Sequence, residues 1–386
     1  MGEQVPNARS HARRRQIRRR QVRIRRAVAA AVLLALAAGI TLGARAVGGG
    51  KHSGTPAKAH VRAAPDARGP AIPAHVRGVH VTMSLASVPG RLEQYLAIPG
   101  LNTIELDVKD ENGRVGFVSP GVPLARRTGA AGPFYDARRA ARIVHQHGDY
   151  LIGRVVTFED PVLSEKRPEL AIENADGSIW HNNAGLGWTN PYNRLVWRYN
   201  VDVAAAAARA GFDEIQFDYV RFPSDGDLSQ IRYPGTHRTA MQWTIPAFVR
   251  YAASRLHPLG VRVSVDVFGL SATRDLGIGQ QPRRLSRYVD AVSPMVYPSH
   301  YNPGEYGLDV PDNWPGQTVS YSLNDFRRQL QGRNVRLVPW LQDFSLGRTY
   351  TLEDVRDQIL AARVHRTDGF LLWNPVGVYT PGAFEH

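Results

Sequence analysis

The stretch "GFDEIQFDYVRFP" at 211–223 places Glu214, Gln216 and Asp218 at every second position of a β-rich run. Side chains alternate along a strand, so these three share one face, while Ile215, Phe217 and Tyr219 share the other. The apolar set must meet covering helices, which turns the acids toward an interior. "VRVSVDVFG" at 261–269 repeats the pattern with Arg262, Ser264 and Asp266. If the two strands are neighbours, about 4.8 Å apart, the carboxylates of Asp218 and Asp266 converge. Two carboxyl groups about 5 to 5.5 Å apart across a sugar are the arrangement of retaining glycoside hydrolysis. The alternative for any single Asp at a strand end is a helix cap or a partner for an Arg.

Eight β-rich runs can position such groups: 77–82, 102–109, 150–158, 213–222, 261–269, 290–298, 335–344 and 369–375. Helical patterns fall between them at 136–147, 192–210, 239–256, 282–289, 321–331 and 351–365, with a weaker one near 89–97. Eight strands, each followed by a helix or the chain end, predict an α/β fold of the (β/α)8 TIM barrel type, whose active site lies at the C-terminal strand ends. The competing open, doubly wound sheet lacks its Gly-rich phosphate turn here. The strand ends carry Asp107 and Lys109, Glu159 and Asp160, Asp218 with Tyr219 and Arg221, Asp266, Tyr297 and His300, Asp343, and Asn374. Burying five acids costs too much without function or paired cations. The cations expected to point inward are Arg154, Arg262 and Lys109.

Trp180, Trp188, Tyr219, Phe222, Tyr297, Tyr301, Trp314, Trp340, Phe344 and Trp373 fall on the mouth and its loops. Aromatic faces beside carboxylates suit carbohydrate, whose C–H faces stack and whose hydroxyls take hydrogen bonds, so an open, ring-lined cleft is expected. No HExxH, GxSxG, P-loop or Cys is present, which argues against a metal centre, a cofactor and the commonest acyl- and phosphoryl-transfer chemistries.

The 386 residues carry a formal charge of +14, which invites a nucleic-acid reading until it is apportioned. Residues 1–26 hold ten Arg against one Glu, and 45–77 hold six Lys or Arg against Asp66. These supply +9 and +5, so the chain from Gly78 onward is formally neutral and makes no electrostatic case for nucleic acid. Residues 1–26 read as a basic cytoplasmic tail, and 27–47 as a transmembrane anchor or signal segment, with an uncharged run of eighteen residues at 27–44. Cleavage after "ARA" at 44–46 is the alternative, giving a secreted protein. Residues 48–74, rich in Pro, Gly and Ala, read as a linker, and 75–386 as the barrel, placed outside the cytoplasm and held to the membrane by the N-terminal helix.

The runs "GFDEIQFDYVRFPSDG", "NTIELDVKDENGRV", "SVDVFG" and "SPMVYPSHY" resemble a bacterial glycoside hydrolase-like domain family, formerly a domain of unknown function, from about His75 to the C-terminus. The resemblance implies a barrel distantly similar to the alpha-amylase type of glycosidase. In that pattern Asp218 matches the nucleophile and Asp343 the stabilising Asp. Gln216 stands where the superfamily has Arg, and Asp266 where it has its Glu acid/base; should Asp266 be structural, Glu159 or Asp107 is the next candidate. The expected activity is cleavage of a cell-surface or extracellular polysaccharide. Catalytic roles fall to Asp218, Asp266 and Asp343, and substrate contacts to Asp107, Lys109, Glu159, Tyr219, Arg221, Tyr297, His300, Trp340, Trp373 and Asn374. The alternative is a noncatalytic carbohydrate-binding or cell-wall module on a degenerate barrel.

Overall fold

The computed structural model describes residues 72–235 and 239–385. The predicted tail, the anchor or signal segment and the linker up to residue 71 lie outside these residues. Among the described residues no helix is long and apolar enough to cross a membrane.

All strands pair in parallel: β1 (Val76–Val81), β2 (Thr103–Lys109), β3 (Tyr150–Val156), β4 (Glu214–Asp218), β5 (Arg262–Phe268), β6 (Ala291–Met295), β7 (Arg336–Leu337), β8 (Trp340–Gln342) and β9 (Gly369–Trp373). The order runs β1 to β6, then β7 and β8 in one position, then β9, which pairs back on β1 and closes an eight-position barrel. The seventh position differs from the continuous strand expected over 335–344. It is interrupted at Val338–Pro339, where proline has no N–H to give the ladder.

The alternation decides which side chains fill which space. Val79, Ile104, Leu106, Leu151, Ile215, Phe217, Val263, Val265 and Leu372 point outward into one buried apolar layer beneath the helices. The principal helices are α1 (Ala137–His147), α2 (Arg194–Ala210), α3 (Met241–Leu256), α4 (Pro315–Leu330) and α5 (Leu352–Val364). Asn193 caps α2 through the Leu195 N–H, and Gly211 ends it at φ 106. Phe217 meets Phe248 of α3 edge-on at 5.4 Å, so the outer face of β4 is anchored as its sequence implies. Inside the barrel, Val76, Tyr150, Ile152, Ala291, Val338 and Leu371 form a second, smaller apolar cluster, with Ile72 packed against it. The carbonyls of Ile72, Pro73 and Ala74, at the end of the expected linker, accept from Arg336.

Candidate active site

Above that inner apolar cluster the barrel interior turns polar. Glu214 accepts from the Tyr150 hydroxyl at 3.1 Å and from Ser264, and burial raises its carboxyl to about 7. Next toward the C-terminal strand ends stands Arg154 on β3, 3% exposed. Its Nε and Nη2 donate to Asp218 Oδ2 at 3.0 and 2.8 Å, and its Nη1 to Asp107 Oδ1 at 2.8 Å and Glu111 Oε2 at 3.4 Å. The guanidinium also lies 5.1 Å from the centre of the Trp373 ring. One cation thus draws acids from β2, the following loop and β4 to a single point.

Asp266 on β5 has different company. Its Oδ1 accepts from Gln216 Nε2 at 2.6 Å and Trp340 Nε1 at 2.8 Å, and Oδ2 makes no hydrogen bond among the described residues. Burial, then the charges of Asp218 and Glu105, raise its carboxyl well above the usual range. Glu105 is raised in the same direction, by burial first, and its Oε1 has no partner among the described residues. The other oxygen meets His80 Nδ1 at 2.5 Å. That imidazole, stacked on Trp373 at 4.3 Å, is pushed down to about 4 by burial. The inner set therefore has one full cation facing Asp107, Asp218, Asp266 and Glu105, and low dielectric does not allow all four acids to ionise. Asp218 is held by the Arg, while Asp266 and Glu105, raised by burial, are positioned to keep a proton.

At the rim, Glu159 accepts from Asn182 Nδ2 at 2.7 Å, and burial raises it to about 8 against the opposing pull of Arg221. Tyr219 breaks the expected alternation. It adopts φ 47, directs its N–H to Asp218 Oδ1 at 2.6 Å, and sets its ring beside Trp188 rather than continuing the Ile215–Phe217 row. A non-glycine residue held there is strained, and such strain collects at functional positions. Tyr297 is buried at the end of β6, its ring edge-on to those of His300 and Phe344.

Three expected site residues are not brought to this cluster. Lys109 was expected to point inward at the end of the strand with Asp107, but the register between β2 and β3 shifts between Asp107 and Lys109. This irregularity carries the ammonium to Asp160 at 2.7 Å, Asn200 of α2 and the Val156 carbonyl. Trp340 points inward on β8, so Asp343, three residues on, takes the opposite parity. Its Oδ2 accepts the Thr380 N–H at 2.8 Å, and its Oδ1 meets the Thr380 hydroxyl at 2.5 Å. Asn374 donates to the Asp343 carbonyl and accepts from Val376 and Val378, so the two together fasten the C-terminal segment. The open aromatic cleft is corrected too: Trp180, Trp188 and Phe222 belong to the buried outer layer. Arg262 faces Asp290 at 3.4 Å, at the N-terminal end of its strand. Residues missing from the expected site are Glu105, His80 and Glu111, while Arg154 and Gln216 were expected to point inward without a role in the site. Parity with Asp107 would have found Glu105.

Among the described residues no group of three or more His, Asp or Glu side chains is arranged to hold a metal ion.

No curated protein matches the chain. A hypothetical protein from Ruminiclostridium thermocellum ATCC 27405 is 35% identical, the match covering 49% of this chain and 97% of that one, with a TM-score of 0.43. The PgaB (BpsB) glycoside hydrolase domain from Bordetella bronchiseptica is similar in fold, at 14% identity, 78% and 94% coverage and a TM-score of 0.54. So is a Flavobacterium johnsoniae chitobiase, at 12% identity, 80% and 46% coverage and a TM-score of 0.51. These two likenesses are of barrel fold. Residues 78–379, most of the chain and all nine strands except the first two residues of β1, match a family described as "Putative glycosyl hydrolase domain", and the chain belongs to that family.

Proposed function

We propose that the protein is an exported, membrane-anchored glycoside hydrolase that cleaves O-glycosidic bonds of a cell-surface or extracellular polysaccharide with retention. The observation carrying this reading is the contrast between two strand-end acids: Asp218 bound by the Arg154 guanidinium, and Asp266 raised by burial beside Gln216 and Trp340. Asp218 attacks the anomeric carbon as a carboxylate, while Asp266 gives its proton to the departing glycosidic oxygen. The glycosyl–Asp218 ester is then cleaved by water, whose proton returns to Asp266. When Asp218 is esterified, Arg154 keeps Asp107 as its counter-ion. Trp373, Trp340 and Tyr297 bound the space beside these groups with apolar faces and exclude water.

The test is hydrolysis of a polysaccharide panel by the domain from residue 75, with product anomers followed by NMR. The expected result is release of a product with retained configuration by wild type and none by Asp218→Asn. Binding without release from every glycan would instead identify a noncatalytic module. Anchoring is supported by the uncharged run at 27–44 behind ten Arg. Protease added to intact cells is expected to degrade the barrel; its protection would sink the topology.

A further inference from the structure

Among the described residues three cationic side chains are buried: Lys109, Arg154 and Arg221, at 0%, 3% and 7% exposure. Lys109 has Asp160, and Arg154 has Asp107, Asp218 and Glu111. Arg221 has no carboxylate within ion-pair distance among the described residues. Its one hydrogen bond there runs from Nη1 to the Phe222 carbonyl at 3.1 Å. Its Nε and Nη2 are neither bonded nor among the fully occluded polar atoms, so they keep access to solvent. The guanidinium lies 4.9 Å from the ring centres of Trp188 and Tyr219, and 4.7 Å from that of Phe268. Tyr219 follows Asp218 and Phe268 is two residues past Asp266, so the cation stands at the mouth, over the ends of β4 and β5.

A desolvated cation without a counter-ion is costly. Aromatic faces recover part of that cost and also hold the planar fork rigid, which presents its free N–H groups as a bidentate donor. The rim acid whose charge Arg221 influences, Glu159, accepts from Asn182 through Oε2, and its burial favours the uncharged form at neutral pH. What is missing is an oxyanion.

We propose that Arg221 forms a subsite for an anionic sugar residue, its guanidinium taking the carboxylate, sulfate or phosphate that the ring carries, and that the protein therefore acts on acidic rather than neutral polysaccharide. This rests on the hydrolase reading for the word "acts", but binding can be tested without turnover.

The experiment measures calorimetric affinity of the full-length Asp218→Asn protein for a glucuronic acid oligosaccharide, its methyl ester, and sulfated and phosphorylated counterparts with their neutral parents. At least one anionic probe is expected to bind about 10-fold tighter than its neutral partner. Adding Arg221→Gln is expected to erase that ratio and Arg221→Lys to restore part of it. Should Arg221→Gln fail to fold, raised salt must weaken the anionic probe and leave the neutral one unchanged. Equal affinities across every pair, or a preference that survives Arg221→Gln, overturn the subsite. Wild-type hydrolysis of a neutral glycan without acidic preference would sink the subsite and keep the hydrolase. Anion-selective binding with no hydrolysis would do the reverse.

Discussion

Asp218 and Asp343 each follow or end a barrel strand, each is buried, and each accepts a backbone N–H through one carboxylate oxygen. The second oxygen separates them. In Asp218 it meets the Arg154 guanidinium inside the barrel; in Asp343 it meets the Thr380 hydroxyl on the other side of the wall. One residue of parity is the whole difference. It places one carboxylate inside the barrel against Arg154, and makes the other a clamp for the C-terminal segment, whose Tyr379 hydroxyl also donates to the His80 carbonyl at 2.6 Å. A strand-end position is therefore a weak signal of chemistry, and the direction of the side chain is a strong one.

The comparison can be broken most directly through activity. Asp218→Asn is expected to lower hydrolysis by about 10⁴-fold or more with little change in melting temperature. Asp343→Asn is expected to keep activity within about 10-fold and to lose about 1–2 kcal/mol of stability, because the Thr380 contacts weaken. Equal activity losses from the two, at unchanged stability, would sink the distinction.

Arg154 sharpens the Asp218 side. Arg154→Met leaves Asp107 and Asp218 buried without a cation, which costs about 3–5 kcal/mol. The same change combined with Asp107→Asn and Asp218→Asn should cost much less, since the orphaned charges go too. Denaturant unfolding of wild type, Arg154→Met, the Asp107→Asn/Asp218→Asn pair and the triple variant measures the coupling; simple additivity would show that Arg154 is not the hub of these acids.

The smallest effect concerns pH. Glu159 faces Arg221, Asp225, Glu111 and Asp218, accepts from Asn182 Nδ2, and lies near Tyr219. Its folded value of about 8 exceeds the ordinary 4.5, so over that interval the folded protein holds a proton that the unfolded chain has lost. Stability from this group is present below the unfolded value and is lost as pH rises toward about 8, by at most about 1.4 kcal/mol per pH unit. Glu159→Gln, which stays neutral, is expected to flatten that decline and gain on wild type between pH 5 and 8. Parallel stability curves for the two proteins would show that Glu159 is charged in the fold.

Much of the fold was legible because period-2 and period-3.6 patterns are local. The outward row of Ile215 and Phe217 and the inward row of Glu214, Gln216 and Asp218 follow from residues within one strand. Asp218 and Asp266 were legible for the same reason. The site residues that were misplaced are those whose direction depends on a neighbour. Lys109 has the right parity in sequence and loses it to the register shift against β3. Tyr219 leaves its row because the strand ends at Asp218 and the backbone turns left-handed. Trp180 and Trp188, taken for a cleft, are core, since composition does not say which side of a wall a ring lies on.

The sequence by itself determined the eight strand positions and their order along the chain, the apolar faces that roll them into a barrel, and the concentration of acids at their C-terminal ends. These depend on periodicity and on the cost of exposing apolar or burying polar groups, and both act within an element. Only the tertiary structure decided the surroundings of each acid. Asp218 and Asp266 are the same residue in similar strands. Only the assembled barrel sets Arg154 of β3 against Asp218 and Trp340 of β8 against Asp266, where desolvation raises the Asp266 carboxyl well above its usual range.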